Sequence, residues 1–300
     1  MTDRAEYLYS TYIANCVFNA FLSYTAITLN IVTIYAIRKT SSLSKPLKTL
    51  LLSLAVSDLG VGLIAQPLYI ALLAMELHLN TEYGPSYRNT YIVFVSLMNL
   101  LSFASFFGVT ALTVDRFLAI HLHLRYKELV THKRVVAVVI SIWLLSALLS
   151  LVALLFPAVK VGYFVFAAID TVCLVTTALL YYKIHLAVRH HANQIHALQI
   201  QQDAQNGEMS NAVRLRKSAV ATFYVYLAFL GCYLPGICFY VAIVISGLNT
   251  AVEILARYAL TLVFLSSSLN PLIYCWKMRH IRHAVMDILR RILPTFRGLA

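Results

Sequence analysis

Ala111-Leu112-Thr113-Val114-Asp115-Arg116-Phe117-Leu118-Ala119-Ile120 closes an uncharged run that extends from Asn89 to Val114. Two opposite charges stand side by side where that run ends. Burying such a pair in hydrocarbon costs several kcal/mol, so a membrane boundary is expected here. The apolar run before it is long enough to cross a bilayer.

Composition extends this reading to the whole chain. Of 300 residues, 60% are hydrophobic and 12% charged, and mean hydropathy is +0.76. Soluble domains are about half apolar and about a quarter charged. The chain is therefore read as an all-α polytopic membrane protein. The net charge of +12 fits basic inner loops, and no basic patch on a soluble domain points to nucleic acid. Met1 to Tyr9 carry Asp3, Arg4 and Glu6 and lack the basic-then-apolar order of a cleaved signal. The first span is expected to act as an uncleaved anchor. The five cysteines, Cys16, Cys173, Cys232, Cys238 and Cys275, fall in or beside apolar spans, so a disulfide framework is not expected. No Asn-x-Ser/Thr site is present.

A spanning helix needs ~20 predominantly apolar residues. Seven such segments are predicted, at roughly 12–37, 47–75, 88–120, 134–157, 162–189, 215–246 and 252–275. This divides the chain into a short N-terminus (1–11), a seven-span domain (12–275) and a tail (276–300). Of 24 Lys and Arg residues, only Arg4, Arg88, Lys160 and Arg257 fall on one side. The basic excess marks the cytoplasmic side, so the N-terminus is expected outside and the C-terminus inside. An odd number of spans requires that arrangement.

Most connections are short: Pro157 to Val161 and Gly247-Leu248-Asn249-Thr250 are predicted as tight outer turns. The longest, His191 to Val213, is polar and Gln-rich, with a helix break expected near Gly207. Beyond the last span, Met278, Ile281, Val285, Ile288, Leu289 and Ile292 recur at helical spacing among Lys277, Arg279, Arg282, His283, Arg290 and Arg291. That pattern predicts a basic amphipathic helix on the anionic inner leaflet, ended by Pro294.

Several polar residues inside the spans need a reason. Asp58 at mid-membrane must face the bundle interior and find partners, and Asn30 and Asn270 are candidates. It is either a structural hydrogen-bond node or a cation- or proton-sensitive switch. Pro235 and Pro271 each free the carbonyl four residues back, of Gly231 and Ser267, which neighbouring groups must satisfy. Each is a static kink or a hinge. Asp170 is either a carboxyl near the outer interface or a ligand anchor.

The ordered set of marks resembles the rhodopsin-like, class A G-protein-coupled receptors over about residues 12–292. It comprises Leu29-Asn30, Leu54-Ala55-Val56-Ser57-Asp58, Asp115-Arg116-Phe117, Trp143, Cys232-Tyr233-Leu234-Pro235 and Asn270-Pro271-Leu272-Ile273-Tyr274. The resemblance implies a seven-helix bundle in the plasma membrane, with the tail as its eighth helix. Arg116 would leave its carboxylate, Asp115, to contact a heterotrimeric G protein, and Tyr181 and Tyr274 would close a water bridge to it. Cys232, Tyr233, Pro235, Asn270 and Pro271 match the hinge region. Asn30, Asp58, Ser105, Ser267 and Asn270 match the inner sodium and water site, so an allosteric sodium ion at Asp58 is implied. Arrestin and membrane lipids are implied as further partners.

Departures are equally legible. Tyr91 stands at the outer start of the third span where Cys is usual, Cys173 stands where the fifth span usually has Pro, and the second outer loop is very short. These look like the melanocortin receptors, within the group that also holds cannabinoid, lysophospholipid and adenosine receptors. Asn270, where melanocortin receptors carry Asp, stops the match short of that subfamily. Tyr233 replaces the usual Trp. Leu215 replaces a frequent Glu, which leads to an expectation of appreciable basal activity.

Met98 occupies the position where amine receptors carry Asp, which disfavours an ordinary monoamine ligand. No Lys lies between Val252 and Trp276, so retinal is not expected. Gln66, Met98, Asn99, Ser102, Asp170, Tyr233, Tyr240, Arg257 and Phe264 are the candidate ligand contacts, an apolar-aromatic set with few polar points. A lipid, nucleoside, short peptide or other small molecule would fit. No nucleophile–base constellation is evident, and no enzymatic activity is expected. A transporter or channel remains the alternative, although it predicts more intramembrane ionisable residues or paired interrupted helices. So does a receptor-like protein that does not couple.

Overall fold

The computed structural model describes the backbone of residues 2–41, 43–78, 84–122, 125–155, 160–199, 206–247, 249–278 and 281–287. Side chains are described within these limits, except over 2–8, 160–166, 187–199 and 206–222. Regular structure among the described residues is helical. In chain order it comprises α1 (Thr2–Lys39), α2 (Lys45–Gly60), a π turn (Val61–Ala65), α3 (Gln66–His78), α4 (Pro85–His121), α5 (Tyr126–Leu129), α6 (His132–Leu155), α7 (Lys160–Gln199), α8 (Asn206–Ser246) and α9 (Thr250–Lys277). Residues 281–287 form a further helical segment.

Local chemistry sets several boundaries. Ser44 and Gly84 are extended, and a Pro in the first turn starts α2 and α4, where a missing N–H costs nothing. Asn249 caps α9, its Oδ1 accepting from the Val252 amide at 3.0 Å. Gly247 ends α8 at φ 67°, a left-handed conformation suited to glycine. Its amide donates to the Ile243 carbonyl at 3.1 Å.

Seven helices among the described residues are long and apolar enough to cross a membrane. The second span is made by α2, the π turn and α3 together; α1, α4, α6, α7, α8 and α9 supply the others. The apolar surface is turned inside out relative to a soluble bundle. In α6, Leu144, Leu148, Leu151 and Leu155 are exposed, as a lipid-facing surface requires. The inner core gathers Leu47, Leu51 and Leu54 of α2, Phe106, Val109 and Leu112 of α4, Tyr181 of α7, Phe229 and Tyr233 of α8 and Tyr274 of α9. A second cluster gathers Leu22, Val61, Ala65, Tyr69, Leu73, Phe94, Met98 and Phe264.

The structure departs from or adds to several sequence expectations. The helices overrun the predicted spans: α1 starts at Thr2 and α7 reaches Gln199, because helical backbone continues past the apolar segment. Near Gly207, where a helix break is expected, α7 ends at Gln199 and α8 starts at Asn206, and 200–205 lie outside the described residues. The second span, expected over 47–75, contains a π turn that the apolar pattern does not announce. Of the turn expected at Pro157 to Val161, Lys160 and Val161 instead belong to the first turn of α7, while 157–159, like 288–294 of the tail helix, lie outside the described residues.

Candidate functional site

The Asp115–Arg116 pair sits near the C-terminal end of α4, and both residues are about 95% buried, at 4% and 5% exposure. Arg116 Nε donates to Asp115 Oδ2 at 2.9 Å, and its Nη2 forms an ion pair with the same oxygen. The other carboxylate oxygen, Oδ1, accepts from the Tyr126 hydroxyl at 2.7 Å. Tyr126 starts α5, so a short inner helix holds the pair from outside the bundle. Burial, followed by the adjacent Asp115 charge, pushes the Tyr126 hydroxyl pKa upward and keeps it a donor. One turn before Arg116, Thr113 Oγ1 donates to the Tyr181 hydroxyl of α7 at 3.2 Å. Tyr274 of α9 is buried at 1% exposure and its hydroxyl makes no hydrogen bond.

Midway along the bundle, Asp58 and Asn270 are fully buried. Asn270 Nδ2 donates to Asp58 Oδ2 at 2.8 Å. Ser105 Oγ lies 3.3 Å from Asp58 Oδ1 and 2.8 Å from Ser57 Oγ. The Ser267 hydroxyl is also within reach of the carboxylate. Asn30 does not bond Asp58 directly. Its Nδ2 donates to the Ser267 carbonyl at 3.0 Å and to the Ala26 carbonyl at 2.9 Å. The Ser267 carbonyl is the one that Pro271 deprives of its helical donor, so Asn30 of α1 repairs the break in α9.

The donors around Asp58 can be tested against a sodium ion. They are one carboxylate, the hydroxyls of Ser105 and Ser267 and the Asn270 amide, with the Asn30 amide joined to them through the Ser267 carbonyl rather than to Asp58 itself. Both amide oxygens are buried and accept no hydrogen bond. A hard cation takes oxygen ligands of this kind. No group of three or more His, Cys, Asp or Glu side chains stands together among the described residues. The set therefore fits a monovalent oxygen-seeking ion.

The predicted ligand residues separate into two groups. Gln66, Met98 and Phe264 belong to the walls between α1, α3, α4 and α9. Phe264 stands 5.5 Å from Tyr69, which stacks at 5.6 Å on Phe94. Gln66 is fully buried and neither amide atom has a partner. In the other group, Tyr233 of α8 stacks on Phe229 at 5.2 Å and leans on Phe106 at 5.1 Å. Its hydroxyl end lies beside Ser102, whose Oγ is 3.6 Å from Met98 Sδ. Asp170 is partly buried in α7, within electrostatic range of Tyr233 and Cys173, and forms no ion pair among the described residues. Asn99 and Tyr240 are half-buried, the latter 5.5 Å from the Phe239 ring. Arg257 forms ion pairs with Glu76 and Glu253. Cys232 is buried beside Tyr233, and Pro235 lies inside α8.

Residues 29–274 match the family model of the 7 transmembrane receptor (rhodopsin family). The chain belongs to that family. It is 26% identical to the histamine H2 receptor of Canis lupus familiaris over 282 residues, covering 87% of this chain and 75% of the relative. It is 24% identical to melanocortin receptor 3 of Homo sapiens over 268 residues, covering 87% and 80%. A shorter match, 32% over 126 residues, links it to adenosine receptor A2b of Gallus gallus and covers 42% and 35%. The relatives thus fall both inside and outside the melanocortin and adenosine group to which the departures point.

Several residues of this receptor's polar framework escaped the sequence reading. Tyr126 was missed because a tyrosine in a loop carries no mark. Of a buried seam on α1, made by Thr11, Asn15, Asn19, Ser23, Asn30 and Thr33, the sequence reading singled out only Asn30, although the three-, four- and seven-residue spacing was readable. Asn19 donates to Thr261 Oγ1 at 2.9 Å, and Thr261 donates to Asn15 Oδ1 at 2.6 Å. Ser23 donates to the Gly62 carbonyl in the π turn at 2.8 Å. Trp143 Nε1 donates to Ser53 Oγ at 3.1 Å, tying α6 to α2.

Proposed function

We propose that this receptor carries an extracellular ligand signal across the plasma membrane to a heterotrimeric G protein, with Arg116 as its output switch. The observation that carries the reading is the buried Asp115–Arg116 pair at the inner end of α4, held from outside by Tyr126. A buried pair of this kind is costly to break on one side only. A ligand that favours a conformation in which α7, α8 and α9 rearrange around it can shift its environment, provided that ligand binds the two states unequally. Tyr181, bonded to Thr113 one turn before Arg116, and Tyr274 would take part in the rearranged state, and Pro235 and Pro271 supply loosened helical bonding in α8 and α9.

We read the N-terminus as outside and the C-terminus as inside, a reading supported by the bias of Lys and Arg to one side. Arrestin is expected to share the inner surface with the G protein, and the tail is expected to rest on membrane lipids. Asp58, Ser105, Ser267, Asn270 and Asn30 would hold the sodium ion. Bound there, the ion supplies positive charge beside a buried carboxylate. The ligand contacts are drawn from Gln66, Met98, Asn99, Ser102, Asp170, Tyr233, Tyr240, Arg257 and Phe264. This surface suits a small molecule, lipid, nucleoside or short peptide. One relative is named for histamine, but Met98 leaves this chain without the usual amine anchor.

Replacing Arg116 by Ala tests the reading. With surface expression matched to the parent, basal and ligand-driven activation across several G-protein classes should fall to the level of mock-transfected cells. Unchanged signalling would overturn the role of Arg116.

A further inference from the structure

We propose that Arg257 is the hub of an ion-paired clamp that fastens the outer ends of the first, second, third and seventh spans. All five cysteines are free thiols, so no disulfide pins the outer start of α4. A polar cluster stands there instead. Arg257 Nη1 lies 2.9 Å from Glu76 Oε2 of α3, and its Nη2 lies 2.8 Å from Glu253 Oε1 of α9. The same Nη2 donates to the Tyr12 hydroxyl of α1 at 2.6 Å, and the guanidinium stacks 4.0 Å from the centre of that ring. The Tyr12 hydroxyl in turn donates a hydrogen bond to Glu253 Oε1 at 3.3 Å. Glu76 Oε1 accepts from the Tyr87 hydroxyl of α4 at 2.5 Å, and Tyr87 stacks on Tyr91 at 6.2 Å. Four spans therefore meet through one guanidinium and one carboxylate.

Burial and geometry separate this cluster from ordinary rim charges. Exposed ion pairs contribute little, because water screens them and side-chain order opposes them. Here the Arg257 and Glu76 side chains are each only 12% exposed. A planar guanidinium can serve two carboxylates and a hydroxyl at once, which an ammonium cannot do with the same geometry. The clamp also faces Tyr69, one of the rings lining the outer cluster. That hydroxyl is buried, points toward Arg257 and Glu76, and makes no well-formed hydrogen bond of its own. The clamp thereby positions the Tyr69–Phe94–Phe264 wall as well as the helix ends. It stands apart from the signalling role of Arg116 and does not depend on it.

Charge counting fixes an order of effects. Removing Arg257 leaves Glu76 and Glu253 without their shared cation. Removing Glu76 leaves the Arg257–Glu253 pair intact. Arg257→Gln should therefore loosen the outer ends more than Glu76→Gln. Adding Glu76→Gln to Arg257→Gln should give back part of the loss, because it deletes an unpaired carboxylate. Arg257→Lys should fall between the parent and Arg257→Gln.

Amide hydrogen exchange on the full chain in lipid nanodiscs reads this locally. Exchange over 84–91 should quicken about tenfold in Arg257→Gln and about threefold in Glu76→Gln and Tyr87→Phe, with 111–120 unchanged. The double variant should exchange more slowly than Arg257→Gln alone. Parent-like exchange at 84–91 in all variants would overturn the clamp. So would equal acceleration at 84–91 and 111–120, which marks general destabilisation. Should Arg257→Gln fail to fold, Glu76→Gln and Tyr87→Phe carry the same two outcomes.

Discussion

Asp115 is held from two sides, by Arg116 within α4 and by Tyr126 from α5. The second contact crosses between elements, so it is the one a conformational change can break. Losing a hydrogen bond to a charged group costs about 1.5 kcal/mol or more, and a partly hydrated one on the order of 1 kcal/mol. Tyr126→Phe is therefore expected to raise basal signalling roughly fivefold at matched surface expression; an unchanged basal level would show that the contact does not bias the switch. The sign of its pH dependence is fixed as well. The hydroxyl pKa is raised above its usual value, so the bond is fully present below about pH 10 and is lost only as pH rises beyond it. At Asn30 the consequence is structural. Asn30→Leu leaves the Ser267 carbonyl unpartnered beside Pro271, at a cost of about 1–3 kcal/mol. A lower thermal midpoint in detergent is expected, with partial recovery in Asn30→Ser; a midpoint equal to the parent's would mean that another donor fills the gap.

At the scale of elements, the π turn and the α8–α9 contact show where helices meet closely. A Cβ added to Gly62 would stand 3.1 Å from the Ala26 Cβ and 3.2 Å from the Ile27 backbone nitrogen. Backbone cannot move aside as a flexible side chain can. Gly62→Val should thus cost about 1–3 kcal/mol through overpacking, measured as a lower denaturation midpoint; full retention would mean that α1 can shift outward freely. At the inner ends of α8 and α9, Lys277 Nζ stands 3.9 Å from the Tyr224 ring centre and 3.5 Å from that of Trp276. The rings lie 5.2 Å apart. This clasp joins two helices whose separation would open an inner surface. Cation–π contacts contribute about 0.5–1 kcal/mol when exposed, so Lys277→Gln should raise basal signalling roughly two- to fivefold, and Lys277→Arg should leave it near the parent. A basal level in Lys277→Gln no higher than the parent's would remove the clasp from the switch. Neither feature was legible in the sequence. A π turn leaves no composition mark, and Lys277 at a span end looks like any interfacial cation. Asp58, Asn270 and the Asp115–Arg116 pair were legible for the opposite reason, since a charge or amide in apolar surroundings is a local anomaly. Glu76 and Glu253 lie near span ends, where a carboxylate is ordinary, so their convergence on Arg257 needed the fold.

Across the whole molecule, the seven spans followed from apolar length, and their arrangement from bonds between polar residues far apart in sequence. Two polar regions recur along the α1, second-span and α9 seam: the outer Arg257 cluster and the inner Asp58 node. The node meets α4 at Ser105, next to Phe106, on which the Tyr233 ring leans, so a cation bound there would stand beside that ring stack. A cation shifts a conformational balance only by its unequal affinity for the two states. In the structure Asn270 donates to Asp58, and the Ser105 hydroxyl of α4 and the Ser267 hydroxyl of α9 reach the same carboxylate. Movement of α9 at Pro271 would disperse those donors, so sodium should favour the closed arrangement. Replacing sodium chloride by choline chloride at constant ionic strength is then expected to raise nucleotide exchange on the coupled G protein by about threefold, roughly 0.7 kcal/mol of differential binding. Asp58→Asn should abolish that dependence while leaving the receptor at the cell surface. The prediction requires measurable basal coupling, and second-messenger levels above those of mock-transfected cells establish it first. If basal coupling is present but indifferent to sodium in the parent, the donors around Asp58 serve as a structural node, and the switch is biased by the Tyr126 and Lys277 contacts alone.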